Sequence, residues 1–235
     1  MAGPAPGRGD ALTIAVIGGD GSGKTTVARQ LVADSTRPTR YVYLGTGFEA
    51  QNIALPTTRL LARLKTRAYR KQLDNAPQQR PTSAHDVHRW TVRRGPLAAA
   101  AITAHRMADQ TYRSLAVWLL RRRGYDVVCD RHFLFEYAQQ LLKEDRGRKP
   151  RAERLHLWFV ETVCPRPDLF VFLDAPPDVL VNRKPERSLD EQRRYRAAVS
   201  TLGSTLSSFM VVDGTASPPE VAAAIARLMA DYRAR

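Results

Sequence analysis

The residues best suited to chemistry stand together near the start of the chain, in GGDGSGKTT at positions 18–26. Gly18, Gly23, Lys24 and Thr25 satisfy the Gly-x4-Gly-Lys-Thr spacing of a phosphate-holding loop. Glycines at 18, 19, 21 and 23 let the backbone curl until successive N–H groups point inward at phosphate oxygens. The helix expected to follow adds the positive end of its dipole. Lys24 should reach the β- and γ-phosphates of a triphosphate, and the Thr25 hydroxyl should ligate Mg2+. Gly18, Gly19, Asp20, Gly21, Ser22, Gly23, Lys24, Thr25 and Thr26 are therefore the expected nucleotide-holding residues. A glycine-rich turn capped by threonine is the plain alternative.

Asp20 bears on what the loop does. A carboxylate inside an anion-binding loop repels phosphate unless it has a task. It could accept a hydrogen bond from an acceptor hydroxyl or order the waters of a magnesium ion; an Asx turn is the structural alternative. Asp130 and Arg131 follow the apolar run YDVVCD (125–130). Arg131 thus leaves the C-terminal edge of a buried strand, where open α/β sheets place their ligands. Asp130 is a candidate carboxylate for a magnesium water, with a salt bridge to Arg131 or a helix cap as alternatives.

These groups need a scaffold, and the patterning supplies one. ALTIAVIGG (11–19) reads as a buried strand, and RYVYLGT (40–46), YDVVCD (125–130), PDLFVFLDA (167–175) and FMVVDG (209–214) read as further strands. Helices are expected near 24–33, 57–74, 97–123, 133–143, 151–163 and 176–184, from the charged segment 182–194 to about 207, and at 218–232. Gly124 stops the long helix after its basic last turn. Strands alternating with helical crossovers imply α/β architecture: a three-layer sandwich with a five-stranded parallel sheet and helices on both faces. Residues 1–10, rich in Gly, Pro and Ala, read as a disordered start, and 11–235 as one domain with a basic helical insertion at about 51–97.

Of the 235 residues 43% are hydrophobic, enough for a packed core. No apolar run approaches the length of a membrane span, and no secretory signal is visible. Two cysteines, Cys129 and Cys164, are too few for a disulfide framework, which points to a reducing cytoplasm. Cys129 lies within a strand and is expected to be packing. The net charge of +14 implies acidic partners. Residues 51–100 hold ten Lys/Arg against two acids, a net +8. This basic amphipathic segment could close over an anionic acceptor, lie peripherally on an anionic membrane, or simply be a solvated face; nucleic acid is not the expected partner. His85 and His88 are too few for a metal site. Trp90, Trp118 and Trp158 are expected in the core. His105 and Arg106 could face an acceptor, with packing or solvent as alternatives.

Several stretches together resemble the thymidylate kinases. GGDGSGKTT is similar to that family's phosphate loop. GYDVVCDRHFLFEYAQQ (124–140) resembles its second motif, through Gly124, Asp130, Arg131, His132, Ala138 and Gln140. PDLFVFLDAPPDVLVNRK (167–184) and VVDGTASPPEV (211–221) resemble its last two strands and the helices after them. The islands keep family order and cover about 11–35 and 115–232. The resemblance implies ATP and Mg2+, a lid between the fourth and fifth strands, and Arg131 binding the acceptor's phosphate or the transferring group. It also implies lid arginines that stabilise the transferred group. The loop has no cation before Lys24, so by charge logic Arg183, Lys184 and Arg187 are the candidates, with a solvated helix end as the alternative. A homodimer through the long helices is implied as well.

The acceptor side departs from the family. YLGTGFEAQN replaces its Arg-Glu-Pro-Gly segment, its base-contacting arginine falls on Asp109, and the tyrosine of its Ala-Tyr-Gln falls on Gln139. YVYLG and RKPERS look instead like thymidylate-kinase-like proteins of surface-polysaccharide or secondary metabolism. The expectation is ATP-dependent transfer to a small acceptor: a nucleoside monophosphate, thymidylate first, or a sugar or secondary-metabolite hydroxyl. A nucleotide-binding regulatory protein without transfer is the rival from another class.

Overall fold

The computed structural model describes residues 11–45, 53–60, 96–142 and 149–234. Five strands, β1 (Thr13–Gly18), β2 (Thr39–Tyr43), β3 (Asp126–Asp130), β4 (Leu169–Asp174) and β5 (Phe209–Asp213), form one parallel sheet in the order β2-β3-β1-β4-β5. β1 lies in the middle, in register with β3 from Thr13 opposite Val127 and with β4 from Ile14 opposite Leu169. All six residues of β1 are buried, as two-sided coverage of a parallel sheet requires.

Eight named helices flank the sheet: α1 (Lys24–Asp34), α2 (Pro96–Arg122), α3 (Phe133–Glu136), α4 (Ala138–Leu141), α5 (Arg151–Thr162), α6 (Pro177–Arg183), α7 (Leu189–Gly203) and α8 (Pro218–Arg233). Val27, Ala28 and Leu31 of α1 and Val221, Ile225 and Met229 of α8 pack with Ile14, Val16, Val171 and Leu173 on one face. Leu157 and Val160 of α5 and Tyr195, Ala198 and Val199 of α7 pack with Ala15, Ile17, Phe170 and Phe172 on the other. The three layers follow from alternation along each strand, and each large apolar side chain so buried contributes about 1.5–3 kcal/mol.

Local chemistry sets the helix ends. Ser188 and Glu191 close a capping box on α7, as Ser217 and Glu220 do on α8. At the N-terminal edge of the sheet two carboxylates hold β1 in place. Asp126 accepts from Leu12 N and pairs with Arg233 and Arg37; Asp168 accepts from Thr13 N and pairs with Arg121.

Some expectations change. The helix expected at 133–143 is broken at Tyr137, whose φ of −108° and ψ of 12° divide it into α3 and α4. The helix expected to run to 207 ends at Gly203, where the Phe209 ring packs against the glycine and leaves no room for a side chain. Trp118 and Trp158 are not core: they are 46% and 51% exposed. For Trp118 the reason lies in α2, whose most buried positions are polar, although Met107, Val117 and Leu120 also pack against the core. Asp109, Gln110 and Arg113 are buried, so the apolar residues Leu97, Tyr112, Leu115, Trp118 and Leu119 face outward. Cys129 is buried, and burial, with Asp130 adding to it, pushes its thiol up to about 12. Residues 56–60 are helical, while most of the expected 57–74 helix, the linker after it, His85, His88, Trp90 and residues 1–10 lie outside the described residues. Among the described residues no helix is long and apolar enough to cross a membrane.

His156 of α5 is buried against Gln110, to whose Oε1 its Nε2 donates at 3.1 Å, and meets the Tyr137 ring edge-on. Burial, with Arg106 adding to it, lowers its pKa to about 4. The unfolded chain takes up this proton near pH 6.5 and the folded chain only near 4, so stability present above 6.5 is lost as the pH falls through that window. Chemical denaturation should show about 3 kcal/mol less stability at pH 4 than at pH 7 from this residue. His156→Gln should flatten that part of the slope; an unchanged slope would contradict the assignment.

Candidate active site

The glycine-rich loop 18–23 leaves the C-terminal end of β1, which lies between β3 and β4. Gly23 (φ 81°) turns the chain into α1, so Lys24 and Thr25 open the helix. Gly19 is tied by packing. A Cβ there would come within 2.6 Å of Leu180 Cδ1 and 2.7 Å of Gln192 Oε1. Ser22 N donates to Gly19 O at 3.2 Å and closes the turn; its side chain is buried, and Thr26 is exposed within the first turn of the helix.

Asp20 is the centre. Its Oδ1 accepts from Arg131 Nη2 at 3.0 Å and lies 4.0 Å from Lys24 Nζ, and its Oδ2 pairs with Arg187 Nε at 2.7 Å. Burial alone would raise the Asp20 pKa. Lys24, Arg187 and Arg131 outweigh it and hold the carboxyl well below the usual carboxylate range. Lys24 Nζ donates to Gly19 O at 2.6 Å. Burial, with Arg131 adding to it, lowers the Lys24 pKa to about 8 against the pull of Asp20 and Asp130.

Arg131 reaches Asp20 through an unusual backbone. Its φ is 72°, and it is the one non-glycine residue with positive φ among the described residues. Arg131 N donates to Val16 O and Leu44 N donates to Asp130 O, which locks the turn between β1 and β2. Such a conformation costs of order 1 kcal/mol and persists where surrounding bonds enforce it. The other terminal nitrogen, Nη1, donates to Glu136 Oε1 at 3.1 Å. His132 caps α3 by accepting from Leu134 N on Nδ1, which fixes the helix that carries Glu136.

Asp130 is fully buried. Its Oδ2 accepts from Thr25 Oγ1 at 2.6 Å and from Tyr41 OH at 2.8 Å, while Oδ1 has no partner among the described residues. A hydroxyl and a carboxylate with one free buried oxygen, at the mouth of a phosphate loop, fit a magnesium site in which Thr25 and Asp130 would be the protein's ligands, directly or through water.

The expected lid cations separate. Arg187 joins Asp20 and lies over the Tyr195 ring at 5.3 Å. Arg183 donates to Gly214 O at 2.8 Å and Thr215 O at 3.1 Å, which ties α6 to the loop after β5 rather than to the Asp20 cluster. Lys184 pairs with Glu186 at 3.0 Å on the surface. Asp109 organises the wall beside the site. It accepts from Leu55 N and Thr58 Oγ1 and pairs with Arg113, whose Nη1 donates to Gly45 O at 2.9 Å. His105 contacts Thr57 Oγ1 at 3.2 Å, and Arg106 lies near Tyr137 and His156.

Sequence reasoning missed three contributors. Gln192 is fully buried and donates to Asp20 O at 2.9 Å; its signal was a polar residue on the inward stripe of α7 with Tyr195 and Val199. Glu136 was an acid within the apolar run FLFEYA. Tyr41 carried no signal beyond strand alternation. No family model matches the chain, and a search of curated proteins finds no match.

Proposed function

We propose that this chain is an ATP-dependent phosphotransferase acting on a small acceptor, related to the thymidylate-kinase-like phosphate-loop kinases. The observation that carries the reading is the meeting of Lys24, Arg131 and Arg187 on the Asp20 carboxylate beside the loop. Phosphoryl transfer needs cations placed in advance around an oxyanion whose charge spreads over three oxygens, and a carboxylate is what keeps three such cations together without phosphate. The loop amides and Lys24 hold the donor phosphates. Asp20 orients the acceptor oxygen; its low pKa makes it a weak base, so it takes the proton late, as the bond from the γ-phosphorus to the bridging oxygen breaks and ADP leaves. Mg2+ held by Thr25 and Asp130 would neutralise charge on the β- and γ-oxygens.

The resemblance supports a nucleoside monophosphate as acceptor, thymidylate first. The engagement of Asp109 with Arg113, Thr58 and Leu55 N favours the second acceptor class, a sugar or secondary-metabolite hydroxyl, because no base-reading arginine stands at that position. ATP as donor suits a cytoplasmic setting. The uncharged outer stripe of α2, with Leu97, Ala104, Ala108, Tyr112, Leu115, Trp118 and Leu119, supports a homodimer through this helix.

A screen of ADP release from ATP and Mg2+ over nucleoside monophosphates, nucleosides and sugars tests the activity. At least one acceptor should turn over, Lys24→Ala should lower the rate by about 10³-fold, and Arg131→Ala by about 10²-fold with nucleotide affinity little changed. Nucleotide binding with no transfer to any acceptor would support the regulatory reading instead. For the dimer, sedimentation velocity should give a two-chain species that Leu115→Glu with Trp118→Glu converts to one chain; a monomeric wild type would contradict it.

A further inference from the structure

We infer that Tyr41 is a positioning residue for the metal-binding carboxylate: its hydroxyl pins one oxygen of Asp130 and so keeps the other for a divalent cation. The inference rests on the reading of Thr25 and Asp130 as a magnesium site and adds a third residue to it. Two hydroxyls converge on one oxygen of Asp130. Thr25 Oγ1 donates to Oδ2 at 2.6 Å, and Tyr41 OH donates to the same atom at 2.8 Å. Oδ1 of this fully buried carboxylate has no partner among the described residues. Leaving a buried acceptor without a donor is costly, and one donor on each oxygen would remove that cost. The chain instead places both donors on Oδ2.

The fold places Tyr41 for this task. It lies on the edge strand β2 opposite Val128, two residues before Tyr43, which stands opposite Asp130. Asp130 is therefore the diagonal neighbour of Tyr41, about 6.6 Å further along the strand direction. An aromatic side chain reaches such a neighbour, and a serine or threonine hydroxyl would fall short. The Tyr41 ring packs against the apolar cluster of Val16 and Val128 with Val27 and Ala28 of α1, and the Arg29 guanidinium lies over it at 5.7 Å. Packing thus fixes the ring, and the ring fixes the hydroxyl. Thr25 has a double task, because a hydroxyl that gives its proton to Oδ2 still has lone pairs for a cation. Tyr41 comes from a different element, so it holds the carboxylate independently of α1. Partners that hold a ligating carboxylate in this way typically change metal affinity by about 10–100-fold. Phenylalanine at this position keeps the ring contacts and removes the donor alone.

The test separates metal binding from nucleotide binding. Mn2+ is titrated into the full chain holding a non-hydrolysable ATP analogue, and the free ion is followed by electron paramagnetic resonance. The wild type, Tyr41→Phe, Asp130→Asn and the double variant are compared, each first shown to be folded by circular dichroism. Tyr41→Phe should raise the Mn2+ dissociation constant by about tenfold or more. Its affinity for the analogue in EDTA should stay within about twofold of wild type, a readout that a general loosening of the site would move. In the Asp130→Asn background the same substitution should add no more than about twofold, because the hydroxyl then has no carboxylate to hold. Mn2+ affinity unchanged in Tyr41→Phe, an equal loss in both backgrounds, or an equal loss of analogue binding in EDTA overturns the inference. Asp130→Asn binding Mn2+ as tightly as wild type sinks the metal reading of Asp130 and this inference with it. Failure of the analogue to bind the wild type sinks the phosphotransferase reading, and each of these outcomes is read from its own arm.

Discussion

One carboxylate governs the charged cluster at the glycine-rich loop. Asp20 is nearly buried, and it meets Arg131, Arg187 and Lys24 within 4.0 Å. At an effective dielectric of about 20, a unit pair at about 4 Å is worth about 4 kcal/mol. Three such attractions offset the several kcal/mol each that it costs to take these charges from water. Removing the carboxylate would leave three cations facing one another in a partly dry site. Asp20 is therefore what holds the three cations together at the glycine-rich loop.

Distant parts of the chain converge to build that cluster. β1 delivers the loop, and β3 beside it delivers Asp130 and Arg131. The left-handed turn at Arg131 is held by Val16 O and by the Leu44 bond to Asp130, so strand order itself brings the guanidinium to Asp20. α7 supplies Arg187 just before its capping box and Gln192 just inside it. Side chain and backbone of Asp20 are thus gripped from the same helix end. A shift of α7 would move both contacts together, which couples that helix end to the loop.

The strands, the parallel sheet and the loop were legible because glycine spacing and apolar runs are local signals. The Thr25–Asp130 bond was half legible: each residue carried its own motif, but their meeting depends on β1 pairing with β3. Arg183 and Arg187 could not be told apart in sequence. Both are arginines in one charged segment, and only the turn between α6 and α7 sends one to Gly214 and the other to Asp20. The tryptophans were misjudged because hydrophobicity argued for burial. For Trp118, Asp109, Gln110 and Arg113 hold the most buried positions of α2, which composition does not reveal.

The claim that Asp20 stands where phosphate charge belongs is tested most directly by the thermal stability of Asp20→Asn with and without a non-hydrolysable ATP analogue and Mg2+. The account predicts a melting temperature several degrees below wild type in the free protein, since about 1 kcal/mol shifts a domain of this size by about 2–4 °C. It predicts a larger gain than wild type shows when the nucleotide is added, because phosphate oxygens then meet the three orphaned cations. A variant as stable as wild type, gaining no more from the nucleotide, would contradict it.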